Sequence, residues 1–168
     1  MSDEYDWLPP LCRLGDFGGD WDAYEEKLYH QFQEDWEKLR PYHQGQPVGH
    51  AREPFVDGKP EAFWHLTSRT DKETGERLPD LRRCECLRWA KVLISEAPNR
   101  DEILTWRERR PKGLQQVFAL DDFSYVVFVA LRGGGRMFLM TAYCVDEPWA
   151  RKQLRKQYER SLKKGGQA

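Results

Sequence analysis

The last third of the chain carries four strand-like segments separated by short turns, and this spacing leaves few architectures open. The segments span residues 103–109, 114–120, 125–131 and 136–145. The turns between them, at 110–113, 121–122 and 133–135, are short enough for antiparallel hairpins. Segments joined in this way pair in sequence order, so the spacing predicts a four-stranded antiparallel meander.

Helices are predicted before and after these strands. Apolar residues recur at steps of three and four in residues 21–39, a helical period, with Asp20 or Asp22 as the cap and Pro41 as the stop. A second helix starts near Asp80, and residues 92–94 either continue it or open a strand. Residues 148–164 form a final basic helix. Helices followed by a run of strands predict an α+β fold.

The chain divides by composition into two parts. Residues 1–60 comprise an acidic N-terminal helix and a connector at 41–60 that is rich in proline and glycine and lacks periodicity, either a linker or a long ordered loop. Two connector histidines, His43 and His50, are expected to be exposed. Residues 61–168 comprise the α+β domain, which opens with a short strand or turn at 61–67 and a mobile surface loop at 68–77.

Composition excludes a membrane-spanning class. The mean hydropathy is −0.85, and no run of residues approaches the roughly 20 apolar residues that cross a bilayer. The acidic N-terminus lacks the features of a signal peptide, so we expect a cytoplasmic protein. In that reducing compartment its four cysteines are expected to be free thiols.

Charge is distributed unevenly along the chain. Residues 1–37 carry eleven acidic and two basic side chains, a net charge of −9, whereas the remainder carries +8. Residues 151–164 alone hold seven Lys and Arg against one Glu. A basic body suits an acidic partner such as RNA. The alternative is that solvated helices simply carry charge.

The last strand places hydroxyl groups side by side. Strand side chains alternate between faces, so Thr141 and Tyr143 share one face with Met137 and Leu139. The other face, which helices are expected to cover, carries Phe138, Met140, Ala142 and Cys144. Two neighbouring hydroxyls on a sheet can bind an anion or a phosphodiester.

His65 stands beside two further hydroxyls, Thr67 and Ser68. An RNase that uses no metal needs a base for the ribose 2′-OH, an acid for the 5′-oxygen, and cations or donors for the phosphorane. With an ordinary pKa near 6.5, His65 suits either proton transfer. The other candidates are Arg82, Arg83 and Arg88 for phosphate, Thr141 and Tyr143 for the phosphate or 2′-OH, and Trp64 or Trp106 for base stacking.

Each candidate has a structural alternative. A single histidine beside aromatic residues is more often a hydrogen-bonded packing residue, and arginines on a helix are ordinarily exposed. Cys84 and Cys86 are separated by one residue instead of the two typical of zinc sites, and no second pair accompanies them. We therefore expect no metal and no cofactor.

Three segments resemble the barnase/EndoU/colicin/RelE-like nuclease superfamily, particularly its phage- and prophage-associated, toxin-like members. They are residues 63–68 (FWHLTS), 79–83 (PDLRR) and 138–143 (FLMTAY), within a resemblance that covers about residues 61–146. The resemblance implies a metal-independent ribonuclease with helices on one sheet face and RNA on the other. It assigns catalysis to His65, an arginine such as Arg83, and Thr141 or Tyr143. The second histidine of many members is absent, so Tyr143, Tyr125 or an arginine would be the acid.

These observations lead to one hypothesis and two alternatives. The hypothesis is a toxin-like endoribonuclease that cleaves through the ribose 2′-OH to a 2′,3′-cyclic phosphate. Its partners would be RNA and a second protein. That protein, a cognate antitoxin or another protein, would bind through the acidic N-terminal helix. The alternatives are a non-catalytic RNA-binding module and a protein-interaction module of phage or prophage origin.

Overall fold

The structure, a computed structural model, describes residues 5–164. Its helices in this range are α1 (Trp21–Phe32), α2 (Glu61–Thr67), α3 (Leu81–Glu85), α4 (Trp89–Glu96) and α5 (Pro148–Lys163). Its strands are β1 (Tyr42–His43), β2 (Gln46–His50), β3 (Phe55–Val56), β4 (Lys59–Pro60), β5 (Ser68–Thr70), β6 (Arg77–Pro79), β7 (Ile103–Arg110), β8 (Gly113–Leu120), β9 (Tyr125–Leu131) and β10 (Met137–Cys144). The predicted α+β class and the C-terminal helix are confirmed.

The central sheet has six strands in the order β1-β2-β10-β9-β8-β7. β7 to β10 pair antiparallel in sequence order, but β2 adds to β10 in parallel, with Met137 opposite Val48. The prediction of a four-stranded, purely antiparallel sheet is therefore wrong. Pro47 and Gly49 conceal β2 in the sequence because both residues are depleted in strands.

One face of the sheet forms the main core with α1, α2 and α4. Tyr24, Leu28 and Phe32 of α1 are fully buried there, and a π-helical turn at Gln33–Lys38 extends α1 and buries Trp36. The Asp20 carboxylate accepts a hydrogen bond from the Ala23 amide at 3.2 Å, as expected of an N-cap. Residues on both sides of the predicted 60/61 boundary thus share one hydrophobic core.

The opposite sheet face is partly covered by α5. Leu154 and Tyr158 of this helix pack on Trp106, Phe123 and neighbouring strand residues. Trp106 is fully buried in this second core, so the prediction that it stacks on a base is wrong. Three basic side chains of α5 also contact the body of the protein: Arg151 donates to the Val145 carbonyl at 2.7 Å, Arg155 lies over the Phe123 ring, and Arg160 pairs with Glu108 at 3.2 Å.

Local structure differs from the predictions between residues 61 and 96. Residues 61–67 form helix α2 instead of a strand or turn, because the periodicity of only seven residues does not separate a helix from a strand. The prediction of a surface loop at 68–77 is wrong, because these residues form β5, the turn after it and the start of β6 in an antiparallel hairpin. Asp80 caps α3 as predicted and accepts from the Arg83 amide at 3.2 Å, and residues 92–94 belong to α4.

A β-bulge in β10 changes which side chains share a face. The pairing with β9 shifts between Leu139 and Thr141, which leaves Met140 as an extra residue. The predicted strict alternation is therefore wrong. Met137, Leu139, Ala142 and Cys144 pack in or against the main core, whereas Met140 and Tyr143 pack against the second core.

His43 and His50 are buried in β1 and β2, contrary to the expectation that they are exposed. His43 packs edge-on against Phe118, and His50 against Phe32. Nε2 of each ring lies buried without a hydrogen-bond partner among the described residues. Burial lowers the pKa of both histidines, and the charge of Arg107 lowers the pKa of His43 further.

Acid is therefore expected to destabilise this part of the fold. The folded pKa of each histidine lies below the unfolded value near 6.5, so the neutral form is favoured in the native state. The stability is complete above the unfolded pKa and is lost as the pH falls towards the folded pKa, by up to roughly 1.4 kcal/mol per pH unit for each histidine. Urea unfolding between pH 8 and pH 5 measures this slope. His50→Gln should flatten it, and the exposed His30→Gln should not; equal slopes would contradict the assignment.

None of the helices described here is both long and apolar enough to cross a membrane.

Candidate functional site

An open cleft of about 800 Å³ lies between α2, the β5–β6 hairpin and strands β8 to β10. His65, Arg83, Thr141 and Tyr143, the four residues predicted to be catalytic, all line it, together with Ser68. Residues of β10 are thus brought to one concave surface with His65 and Arg83, which lie at least 58 positions earlier in the sequence. The bulge at Met140 contributes to this arrangement because Met140, Thr141 and Tyr143 all reach the cleft.

The cleft is strongly basic. Its six cationic side chains are Arg69, Lys72, Arg77, Arg83, Arg110 and Lys112. Two carboxylates, Asp71 and Glu73, also line it. A concave surface with this excess of positive charge attracts polyanions.

His65 is paired with a carboxylate one helical turn earlier. Its Nε2 lies 3.3 Å from Oε1 of Glu61, and about a third of each side chain is exposed. Burial lowers the pKa of His65, Arg77 and Arg83 lower it further, and Glu61 opposes them. The ring is therefore neutral near pH 7, and the tautomer that donates from Nε2 to Glu61 leaves Nδ1 as a proton acceptor.

Arg83 connects three elements around the cleft. Its Nη1 donates to the carbonyl oxygens of His65 at 2.9 Å and Ser68 at 3.0 Å, and lies 3.5 Å from Oγ1 of Thr141. Its guanidinium carbon stands 5.1 Å from the centre of the Tyr143 ring. Arg83 therefore links α2, β5 and β10 to one another. It also adds positive charge to the cleft wall.

Aromatic rings and guanidinium groups alternate on the β9–β10 side of the cleft. The Phe128 and Tyr143 rings lie 6.0 Å apart, and the Arg110 guanidinium stands 4.6 Å from the centre of Phe128. Burial raises the pKa of Tyr143, and the charges of Arg110 and Arg83 oppose that rise only in part. The Tyr143 hydroxyl is therefore protonated at neutral pH and able to donate.

Two predicted phosphate-binding arginines lie outside this cleft. Arg82 makes a two-pronged pair with Asp146, with N–O distances of 2.8 and 3.2 Å. Arg88 pairs with Asp35 at 3.1 Å and with Glu34, both in the π-helical turn after α1. Neighbouring arginines of α3 point in different directions because successive helical residues are about 100° apart. Of the three candidates, Arg83 is the one that reaches the site.

Three predicted substrate-binding residues of α2 and β5 have mainly local partners. The Thr67 hydroxyl donates to the Phe63 carbonyl at 2.9 Å, and the Ser68 hydroxyl donates to the Trp64 carbonyl at 2.6 Å. Trp64 donates from Nε1 to the Val56 carbonyl at 3.1 Å and lines a separate cavity of about 230 Å³. Ser68 and Arg77 line both this cavity and the main cleft.

Several site residues are absent from the predicted set. Glu61, four positions before His65, would have been found if residues 61–67 had been interpreted as a helix. Arg110 ends β7 and Lys112 lies in the turn that follows. Basic residues are common in turns simply because turns are exposed to solvent, so their charge does not indicate a site. Phe128 lies on a strand that is apolar on both faces, so nothing in the sequence marks its position in the cleft.

Within residues 5–164, no group of three or more His, Cys, Asp or Glu side chains is placed to hold a metal ion. Comparison of the chain with family models, with curated proteins and with solved structures finds no match. The resemblance to the nuclease superfamily thus stays a prediction.

Proposed function

We propose that this protein is an endoribonuclease that uses the ribose 2′-OH of its substrate as the nucleophile. The observation that carries the proposal is the convergence of His65 with its Glu61 partner, the protonated Tyr143 hydroxyl and six cations on one cleft. A neutral base and a protonated donor in one site are the pair that this transesterification requires.

His65 takes the proton from the 2′-OH, and the resulting oxygen attacks the adjacent phosphorus. The bond from phosphorus to the 5′-oxygen breaks, and a protonated group supplies the proton to that leaving oxygen. The products are a 2′,3′-cyclic phosphate and a 5′-hydroxyl. The cleft cations stabilise the extra negative charge of the phosphorane, and Thr141 helps to position the phosphate.

Tyr143 is the acid that this geometry favours. Tyr125, the other tyrosine considered, is buried with its hydroxyl 3.5 Å from the Cys86 carbonyl, and it does not line the cleft. Nη1 of Arg83 donates to two carbonyls, which suits charge stabilisation better than proton transfer.

The toxin-like role belongs to the same proposal and draws on the resemblance of residues 61–146 to the nuclease superfamily. A protein that controls such an activity would have to bind this chain. The outer side of α1 and its π-helical extension offers an acidic surface for that contact, with Asp22, Glu26, Glu34 and Glu37 exposed. A cognate antitoxin with a basic surface would fit it.

The cleavage experiment uses the full chain, EDTA and end-labelled RNA, with a DNA oligonucleotide of the same sequence as the control. We expect RNA fragments ending in a cyclic phosphate and no cleavage of DNA, because DNA lacks the nucleophile. RNA binding that weakens with salt, without products from several tRNAs and mRNAs, would favour a non-catalytic RNA-binding module instead. Absence of both binding and cleavage would favour a protein-interaction module.

Replacing Glu61 with Gln is expected to move the acid limb of the pH–rate profile to lower pH. The Glu61 charge raises the pKa of His65, so its removal leaves burial, Arg77 and Arg83 to lower that pKa without opposition. Profiles of kcat/KM report the pKa of the free enzyme's base. Glu73→Gln, which changes a cleft carboxylate outside this pair, is the matched control. Identical profiles for wild type and Glu61→Gln would contradict the proposed pair.

A further inference from the structure

Two cysteines that are 58 positions apart in the sequence meet at the main core. Cys86 follows α3, Cys144 ends β10, and their sulfur atoms lie 3.1 Å apart. Cys86 is buried and Cys144 is partly exposed. A disulfide needs a sulfur–sulfur distance of about 2.0 Å, so a shift of about 1 Å would allow a bond to form.

We propose that Cys86 and Cys144 form a peroxide-sensitive thiol pair that closes reversibly to a disulfide. The partly exposed Cys144 is the sulfur that peroxide reaches, and the buried Cys86 is the sulfur that completes the bond. This modification site is independent of the proposed RNA cleavage.

The electrostatics of the pair assign the two roles. A hydrogen bond from the Cys86 thiol and the charge of Arg82 lower the pKa of Cys144, although burial opposes them. The same hydrogen bond and burial raise the pKa of Cys86. A thiolate is therefore favoured at Cys144, and thiolates are the form that peroxide oxidises.

The reaction balances with hydrogen peroxide as the oxidant. The Cys144 thiolate attacks one peroxide oxygen and, with one proton taken up, gives a sulfenic acid and a first water. The Cys86 sulfur then attacks the sulfenic sulfur, and the sulfenic hydroxyl leaves with the Cys86 proton as a second water. Two thiols are oxidised, one peroxide is reduced, and dithiothreitol reverses the product by thiol–disulfide exchange.

The other two cysteines provide internal comparisons. Cys84 is buried and donates to the Thr67 carbonyl at 3.3 Å, and burial raises its pKa to about 12. Cys12 is partly exposed like Cys144, but burial raises its pKa. Neither combines exposure with a lowered pKa, so we expect both to react more slowly than Cys144.

The test treats the reduced full chain with hydrogen peroxide, blocks free thiols with N-ethylmaleimide, and digests it with trypsin without reduction. Mass spectrometry should find residues 84–88 linked to residues 137–151 with the loss of two hydrogen atoms, and fragment ions should place the bond on Cys86. Dithiothreitol should release both peptides. We also expect the melting temperature to rise by about 5–10 °C on oxidation, because the bond closes a long loop.

Variants separate the two roles. Cys84→Ala, which alters the same tryptic peptide, should retain the link, whereas Cys86→Ala should stop at a sulfenic acid on Cys144 that dimedone traps. A bond through Cys84, or no link at peroxide concentrations that oxidise Cys12, would overturn the proposal. The wild-type peptide assignment decides the question even if Cys86→Ala folds poorly.

Discussion

Replacing His65 with alanine is expected to reduce the rate of RNA cleavage by about 10²- to 10⁴-fold, the usual contribution of a general base. About a third of the His65 side chain is exposed on α2, and its partner Glu61, on the same helix, is exposed to a similar extent. Its removal should therefore leave the fold nearly unchanged. Initial rates on end-labelled RNA in EDTA measure the loss, and circular dichroism confirms folding.

His30→Ala is the matched control because His30 is an exposed histidine on α1 and does not line the cleft. It should retain the wild-type rate. Full cleavage activity in His65→Ala would rule out the mechanism proposed here. Equal losses in both variants would point to a general effect on the protein instead.

Replacing Trp106 with alanine is expected to lower the free energy of unfolding by about 3–5 kcal/mol, since it leaves a large cavity in a closely packed core. The Trp106 ring is fully buried, 5.5 Å from the centre of Tyr158 on α5. Urea unfolding followed by circular dichroism measures the change.

Trp149 is the matched control because it is the same residue type but is 66% exposed on α5. Its replacement with alanine should change the stability by no more than about 0.5 kcal/mol, as usual for surface positions. A stable Trp106→Ala protein with weakened RNA binding would favour the base-stacking role that the burial of this residue contradicts.

The sequence predicts the antiparallel pairing of β7 to β10 because its signal is local, but it does not predict the six-stranded mixed sheet that contains them. Short turns and apolar runs at 103–145 require neighbouring strands to pair. β2 escapes prediction because its partner, β10, lies about ninety residues away, and Pro47 and Gly49 interrupt its pattern. Pairing that is established only by tertiary contact leaves no periodic trace in the chain.

The candidate site was predictable in its chemistry but not in its geometry. His65, Arg83, Thr141 and Tyr143 are candidates by residue type; the structure places all four at one cleft, and their catalytic roles stay a prediction. The choice between Arg82 and Arg83 depends on the rotation of α3, which a five-residue helix does not reveal through periodicity. The bulge at Met140 is likewise hidden, because an extra residue in a strand looks like any other until its partner strand is known.

The pairing of β2 with β10 has a consequence for how this surface can be assembled. β10 carries Thr141 and Tyr143, and β2 pairs with its first three residues, 137–139, on the side that β9 does not occupy. Without residues 46–50, the backbone amides and carbonyls along that side would form an open sheet edge, which readily recruits other chains. Residues 46–50 thus cover the first part of this edge from within the same chain, on the strand that carries half of the proposed catalytic residues.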